Sequence, residues 1–242
     1  MDLLAIVAVC ILGPVIGSLI GVLKKPSDFM VYNLLSFAAG VMISISFLDL
    51  IPESIELSSI WTCAAGLALG TAVMILVDKV VPHIHPSICA GGSKDLELKK
   101  TVYYLFLGIF LHNFPEGLAM GIVSASDFKL SFAIAVAIAI HDIPEAICTS
   151  APYYKVNGNR LKAFLVSVST IIPTLIGLFA AHYLSSYFPL DVVGLLIGAA
   201  AGLMIYISVD ELIPSSCCRV SGYGTLVSFV VGVLLVIALG AL

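Results

Sequence analysis

Eight apolar stretches, each long enough to cross a lipid bilayer, make up most of this 242-residue chain. About 20 apolar residues are needed to span the hydrocarbon core as a helix. Only 11% of the residues are charged, whereas soluble domains average about a quarter. These features exclude an ordinary soluble globule and predict an all-α integral membrane protein with one transmembrane domain, residues 1–242. The predicted helices lie near residues 3–23, 31–52, 61–81, 101–125, 129–150, 161–186, 190–214 and 223–242.

The connections between these helices are short, apart from a polar segment at 82–100 that we interpret as a cytoplasmic loop. Basic residues accumulate in cytoplasmic loops, so the positions of Lys and Arg predict the orientation. Only Lys129 lies on the side opposite the other ten basic residues. Both termini are therefore predicted to be extracytoplasmic, and the first helix, which lacks a basic n-region, is expected to be retained. The ten residues are Lys24, Lys25, Lys79, Lys94, Lys99, Lys100, Lys155, Arg160, Lys162 and Arg219.

The chain contains an internal repeat. Residues 38–54 read AAGVMISISFLDLIPES and residues 200–216 read AAGLMIYISVDELIPSS, with eleven of seventeen positions identical. The first copy lies on an outward-running predicted helix and the second on an inward-running one, so the two copies have inverted topology. Many secondary transporters build a midplane binding site from inverted repeats. Small residues also recur wherever membrane helices pack closely, but packing alone explains neither the matched acids nor the matched prolines.

The fourth and fifth predicted helices carry the same motif near the bilayer centre, a His and an Asn or Asp followed two residues later by Pro-Glu. Residues i and i+4 share one helix face, so each motif presents an imidazole one turn from a carboxylate. The residue after each His lies on the flank of that face. The motif prolines cannot donate a backbone hydrogen bond, which frees a carbonyl and predicts a kink in each helix. The candidate metal ligands are His112, Asn113, Glu116, His141, Asp142 and Glu145.

The cost of burying carboxylates in a membrane favours a bound cation at these motifs. Glu116, Asp142 and Glu145 would together cost roughly 8–10 kcal/mol at helix centres if nothing compensated them. Imidazole, carboxylate and amide ligands suit zinc, iron or manganese, and the lack of thiolates disfavours copper(I). We therefore predict a transporter of divalent metal ions, with the metal as cargo rather than cofactor. Zinc is the first candidate, followed by iron, manganese, cobalt and cadmium.

The two copies of the repeat place acidic residues on opposite sides of the membrane, on either side of the candidate metal ligands. Asp49 and Glu53 lie at the outer end of the second predicted helix, and Asp210 and Glu211 lie at the inner end of the seventh. We hypothesise that the two clusters are an outer entrance and an inner exit for the cation. The alternative is that acids at helix ends simply meet interfacial water.

Other functions remain open for the same residues. An intramembrane His can be a hydrogen-bonded packing residue, and chains of His and Glu also serve as proton relays. An intramembrane zinc-dependent hydrolase would need similar ligands and an activated water, although the HExxH motif is absent. A proton-coupled exchanger that moves no metal is a third possibility.

Four segments together resemble the ZIP family of divalent metal transporters, most closely its bacterial ZupT-like branch. They are HNFPEG on the fourth helix, HxxPE on the fifth, FAAGVMISISFLDLIPES on the second and PHIHP after the third. The resemblance covers essentially the whole chain. It implies a transporter rather than an enzyme, with helices 1–3 and 6–8 as inverted repeats around helices 4 and 5. It also implies import of the metal into the cytoplasm, with the ion held between helices 4 and 5.

The resemblance assigns the same six residues to the metal site, with Glu116 and Glu145 as the bridging ligands if two ions bind. Met42 is similar to a helix-2 position that contributes to the site in some members. His83 and His85 match loop residues thought to pick up or sense released metal, although two histidines are equally ordinary in a solvated loop.

One position departs from the family pattern. ZupT-like members commonly carry a Glu just before the proline of helix 6, and this chain has Ile172 there. A complete second metal position is therefore not expected. The resemblance also implies a multi-pass protein of the cell (inner or plasma) membrane and a homodimer. The expected partners are the metal ion, the lipid bilayer and a second copy of the chain, with no nucleic acid.

Overall fold

The computed structural model describes residues 2–80, 94–124, 128–184, 189–217 and 223–240, and these residues are almost entirely helical. Seven of the helices are long and apolar enough to cross a membrane, and the last is a shorter apolar helix of 16 residues. The predicted all-α, multi-span fold is confirmed, while the 3+2+3 arrangement stays a prediction. The helices are α1 (Asp2–Gly21), α2 (Asp28–Leu57), α3 (Ile60–Val80), α4 (Lys94–Ser124), α5 (Phe128–Asn157), α6 (Arg160–Leu184), α7 (Leu190–Cys217) and α8 (Gly224–Leu239).

α4 and α5 are longer than the sequence predicts. α4 begins at Lys94, inside the segment interpreted as a loop, and its Leu98 is buried in the apolar core. The earlier part of that loop, up to residue 93, lies outside the described residues. α5 continues through Pro152 to Asn157. Gly158 follows the helix and terminates it, with a φ of 67° that suits glycine and an N–H that donates to the Tyr154 carbonyl at 2.9 Å.

α2 and α7 each contain one widened, π-helical turn, and the two turns occupy matching positions of the repeat. They cover Ser46–Leu50 in α2 and Ser208–Leu212 in α7. Each begins at a serine whose hydroxyl donates to the carbonyl of the methionine four residues earlier, at 2.8 Å in α2 and 2.7 Å in α7. A proline, Pro52 or Pro214, follows each turn. Because proline cannot donate to the preceding turn, the extra residue lets each helix continue past its predicted end.

Glycines set the closest contacts between helices. Gly13 and Gly17 of α1 face Ala139 and Ile143 of α5 so closely that a Cβ on either glycine would overlap a backbone carbonyl oxygen. The contacts advance in the same direction along both helices, so α1 and α5 are parallel. The pairs α3–α7, α4–α6 and α2–α8 are also parallel and approach through glycine. Small residues allow this approach between membrane helices.

Antiparallel contacts join these parallel pairs. In the α2–α5 pair, Asp28 forms an ion pair with Lys155 at 2.8 Å, and the Cys148 thiol donates to the Leu34 carbonyl at 3.3 Å. The pairs α4–α5 and α4–α7 are antiparallel by the same criterion. It follows that α2 and α7, which carry the two copies of the repeat, run in opposite directions.

α6 covers the sixth predicted span, near residues 161–186, but it is interrupted within that span. Its segments, Arg160–Val168 and Ile171–Leu184, are separated by a turn at residues 169–170. Pro173 lacks the N–H that would bond the carbonyl of Ser169 in a regular helix. The Ser169 carbonyl instead accepts a hydrogen bond from the N–H of Ile172, at 3.1 Å.

Candidate metal-binding site

The six candidate ligands of α4 and α5 are buried or nearly so, and short contacts bring five of them together between these two helices: His112, Glu116, His141, Asp142 and Glu145. Five of the six are at most 5% exposed, and the side chain of His141 is 14% exposed. Both helices continue through the motif prolines, Pro115 and Pro144. The motif spacing therefore places each imidazole one turn from a carboxylate of its own helix, as the sequence indicates.

Histidines of both helices contact carboxylates of the opposite helix. The Nε2 atom of His112 lies 3.4 Å from Glu145 Oε2, and the Nε2 atom of His141 lies 3.7 Å from Glu116 Oε1. His112 Nε2 is also 3.9 Å from Glu116 Oε1, so Glu116 contacts a histidine from each helix. Glu116, His141 and Asp142 each offer one ligand atom, and these three atoms lie within 4.8 Å of one another.

The site contains buried polar atoms that the described residues leave without hydrogen-bond partners. They are His112 Nε2, Asn113 Oδ1, His141 Nε2, Asp142 Oδ2 and both carboxylate oxygens of Glu116 and Glu145. Buried polar groups are nearly always hydrogen-bonded, because leaving one unpaired costs about 1–3 kcal/mol and more for a charged group. These eight atoms include nitrogen and oxygen donors that suit a zinc-like ion.

Two backbone carbonyls direct the donor atoms. The Gly108 carbonyl lies 3.0 Å from His112 Nδ1, so the Nε2 atom, on the other side of the ring, faces the carboxylates. The Thr170 carbonyl accepts a hydrogen bond from Asn113 Nδ2 at 2.8 Å. Neither carbonyl was predicted from the sequence. Gly108 lies one turn before His112, and Pro173 could have signalled the break in α6 that frees Thr170.

The predicted entrance residues of α2 lie close to the six ligands. Asp49 is exposed and Glu53 is half-buried. The Asp49 carboxylate is within electrostatic range of the His141 imidazole and the Glu116 carboxylate. Met42, one turn before the widened turn of α2, is buried in the apolar core.

The predicted exit residues lie farther from the ligands, beside the first turns of α4. Glu211 is buried, and its Oε2 atom accepts a hydrogen bond from the Thr101 hydroxyl at 3.2 Å. The same hydroxyl lies 3.1 Å from Ser215 Oγ, while Asp210 is half-buried. Thr101 precedes His112 by eleven residues, which corresponds to about 16 Å along a helix. Thr101 and Ser215 carry no motif and were not singled out from the sequence.

Of three further residues discussed from the sequence, only Ile172 is among the described residues, and it does not join this cluster. His83 and His85 lie outside the described residues. Ile172 is 48% exposed, so its side chain points away from the packed helices. α6 thus approaches the ligands through the Thr170 carbonyl rather than through residue 172.

Membrane-spanning helices with imidazole and carboxylate ligands buried between them define a class of protein, the multi-pass membrane transporters of cations. Residues 89–240 match the sequence profile of a family described as ZIP Zinc transporter. This match covers more than half of the chain. The chain belongs to the ZIP family.

Individual relatives agree with the family match. The zinc transporter ZupT of Shigella flexneri serotype 5b is 36% identical over 213 residues, which cover 82% of this chain and 80% of the relative. The zinc transporter ZupT of Salmonella paratyphi A is 35% identical over 211 residues, with the same coverage. That of Escherichia coli O127:H6 is 36% identical over 213 residues. The predicted ZupT-like ZIP membership is confirmed. The protein is a multi-pass divalent metal transporter and not an enzyme, so the hydrolase alternative is not favoured.

Proposed function

We propose that this protein imports divalent metal ions, zinc foremost, through the six ligands of α4 and α5. The observation that carries the proposal is the set of eight buried donor atoms on two antiparallel helices, which have no hydrogen-bond partners among the described residues. The relatives named as zinc transporters support zinc as the cargo. Iron, manganese, cobalt and cadmium are proposed as further cargo because they accept the same mixed ligands.

The chemistry of the ligands suits a divalent cation. Three carboxylates, Glu116, Asp142 and Glu145, supply up to three negative charges, which a divalent ion neutralises in large part. The two imidazoles and the Asn113 amide add neutral donors. An ion that loses its water shell here gains both charge compensation and replacement ligands.

The acidic residues of the repeat complete the proposed path. The cation approaches past Asp49 and Glu53, reaches the six ligands, and leaves past Asp210 and Glu211. In the cell (inner) membrane, with the predicted orientation, an inward-negative potential drives this movement. It contributes about 2.3 kcal/mol per charge per 100 mV, so about 4.6 kcal/mol for a divalent ion.

The proposal is tested by zinc uptake into proteoliposomes, with Fe²⁺, Mn²⁺, Co²⁺ and Cd²⁺ as competitors. The Glu116→Ala and Glu145→Ala variants should each lose at least about 90% of the saturated flux, since each removes a ligand and leaves the remaining donors incomplete. Glu56→Ala, which removes an exposed carboxylate at the end of α2, is the matched control and should keep the full flux.

Undiminished zinc flux in both site variants would overturn the assignment of the site. A proton flux that ignored every divalent ion would instead favour the proton-coupled exchanger.

A further inference from the structure

The break in α6 brings a backbone carbonyl to the edge of the proposed metal site. Pro173 has no N–H to donate to the Ser169 carbonyl, so the regular helical hydrogen bond between these residues is absent, and the chain turns at residues 169–170. The Thr170 carbonyl at this turn faces α4 and accepts from Asn113 Nδ2 at 2.8 Å. Two glycines allow this approach, since a Cβ at Gly117 or Gly177 would overlap a backbone carbonyl of the facing helix.

This hydrogen bond decides which end of the Asn113 amide is left available as a metal ligand. A carbonyl can only accept, so only the NH₂ end of the amide can bond to Thr170. The Oδ1 atom is therefore directed the other way. It is buried and has no hydrogen-bond partner among the described residues. Without the bond the amide could turn over and present N–H groups, which repel a cation.

Hydrogen bonds of buried hydroxyl groups connect the interrupted turn of α6 to α5 and α1. The Ser167 hydroxyl donates to the Ala146 carbonyl of α5 at 3.1 Å, next to the ligand Glu145. It also accepts from the Ser18 hydroxyl of α1 at 2.7 Å. The Thr170 hydroxyl donates to the Ser167 carbonyl at 2.8 Å, which closes the turn. Both serines are fully buried.

We infer that the broken turn of α6 is a positioning element for the metal site, in which Thr170 sets the orientation of the Asn113 amide and Ser167 holds Thr170 in place. This inference rests on the proposed function of the six ligands. The amide oxygen supplied in this way is a neutral, hard donor. It contributes more to the binding of manganese, which prefers oxygen ligands, than to the binding of softer cadmium.

The test is metal uptake by the full-length protein in proteoliposomes carrying Ser167→Ala. The KM for Mn²⁺ should rise about tenfold, the lower end of the effect of removing a residue that orients a metal ligand. The KM for Cd²⁺ should rise by less than about threefold, because cadmium depends less on the amide oxygen. The matched control is Ser54→Ala. Ser54 is equally buried and donates to the Gly194 carbonyl of a neighbouring helix at 2.6 Å, away from Asn113.

A double-mutant cycle separates positioning from general destabilisation. Asn113→Ala alone should raise the KM for Mn²⁺, and Ser167→Ala should add nothing further in the double variant, because both act through one amide. If Ser167→Ala does not fold, Thr170→Val replaces it in the test, because this variant removes the hydroxyl that closes the turn.

Additive effects in the cycle, equal shifts for Mn²⁺ and Cd²⁺, or an equal effect of Ser54→Ala would overturn the inference. Failure of the proposed function would look different, since Glu116→Ala would then leave metal flux unchanged.

Discussion

At the scale of single residues, backbone carbonyls orient two of the six candidate ligands, His112 and Asn113. The Gly108 carbonyl accepts from His112 Nδ1, which in a neutral imidazole leaves Nε2 as the acceptor. The Thr170 carbonyl orients Asn113 in a similar way. Residues that bind metal are commonly held by such outer contacts. These hydrogen bonds restrict the orientations of the two side chains, which reduces the cost of ordering them around an ion.

Glu145→Gln should stabilise the ion-free protein and remove its stabilisation by zinc. A carboxylate at the centre of a membrane helix costs about 2.5–3.5 kcal/mol, and the amide keeps the shape without the charge. We expect thermal unfolding in detergent, measured without metal, to occur at a higher temperature in the variant.

The zinc response provides the second half of this prediction. Zinc at about 100 times its Kd should stabilise the wild type by about 2.7 kcal/mol and leave Glu145→Gln nearly unchanged. Glu56→Gln should behave like the wild type in both measurements. Equal zinc responses in wild type and Glu145→Gln would count against Glu145 as a ligand.

Asp49→Asn should slow uptake at limiting zinc while leaving the saturated flux unchanged. An exposed carboxylate near the ligands raises the local concentration of cations and hence the rate of capture, an effect that salt screens. The difference from the wild type should therefore shrink as ionic strength rises. The control is Asp191→Asn, an exposed acid at the start of α7. Unaltered uptake at limiting zinc in Asp49→Asn would argue against the entrance.

At the scale of helices, prolines and glycines decide where the backbone departs from regular geometry and where helices touch. Pro52 and Pro214 follow widened turns at matching positions of the repeat, whereas Pro173 follows an interruption. The repeat visible in the sequence is thus also a repeat of local backbone structure. Gly117 and Gly177 then hold α4 and α6 close enough for the Thr170 carbonyl to reach α4.

Gly117→Ala should destabilise the α4–α6 contact. Its Cβ would overlap the Thr174 carbonyl oxygen, a backbone atom that cannot move without shifting α6. Overpacking of this kind costs about 1–3 kcal/mol. We expect a lower unfolding temperature in detergent and a raised KM for zinc.

The control for this variant is Gly240→Ala, whose Cβ would meet its nearest neighbouring atom at 3.5 Å, an ordinary contact. It should unfold like the wild type. Equal unfolding temperatures for Gly117→Ala and the wild type would show that α4 and α6 separate easily, which the packing does not predict.

At the scale of the whole molecule, parallel and antiparallel contacts fix the relative directions of the helices. α1 is parallel to α5, α5 is antiparallel to α2, and α2 is parallel to α8. α1 and α8 therefore run in opposite directions, and the start of α1 and the end of α8 lie on the same side of the bundle. Which side faces the cytoplasm stays a prediction from the ten-to-one distribution of basic residues.

Epitope tags at both termini should be accessible from outside the cytoplasm. In spheroplasts of a bacterial host, external protease should remove an N-terminal and a C-terminal tag while a tag inserted between residues 82 and 93 stays protected. Permeabilised cells, in which all three tags should be removed, are the control. Protection of both terminal tags in intact spheroplasts would invert the orientation and with it the proposed direction of import.

The sequence by itself determined the class of fold, the inverted repeat and the six candidate ligands. These follow from local regularities: apolar length, the i to i+4 spacing of His and Glu, and the cost of carboxylates in a bilayer. The sequence did not determine the break in α6, the extension of α4 back to Lys94, or the reach of α2 and α7 past their prolines. A proline marks where a helix is disturbed, but the contacts of the neighbouring helices decide whether the result is a widened turn, as before Pro52 and Pro214, or an interruption, as before Pro173.

Only the tertiary structure decided how the candidate site is supported. The carbonyls of Gly108 and Thr170 carry no signature in the sequence, because every residue has a carbonyl and only its surroundings give it a role. The close approach that brings α6 to Asn113 depends on glycines that face another helix, and which helix that is cannot be read from spacing. Likewise, Ile172 fills a position where the family commonly has a carboxylate, yet only the fold shows that its side chain points away from the ligands.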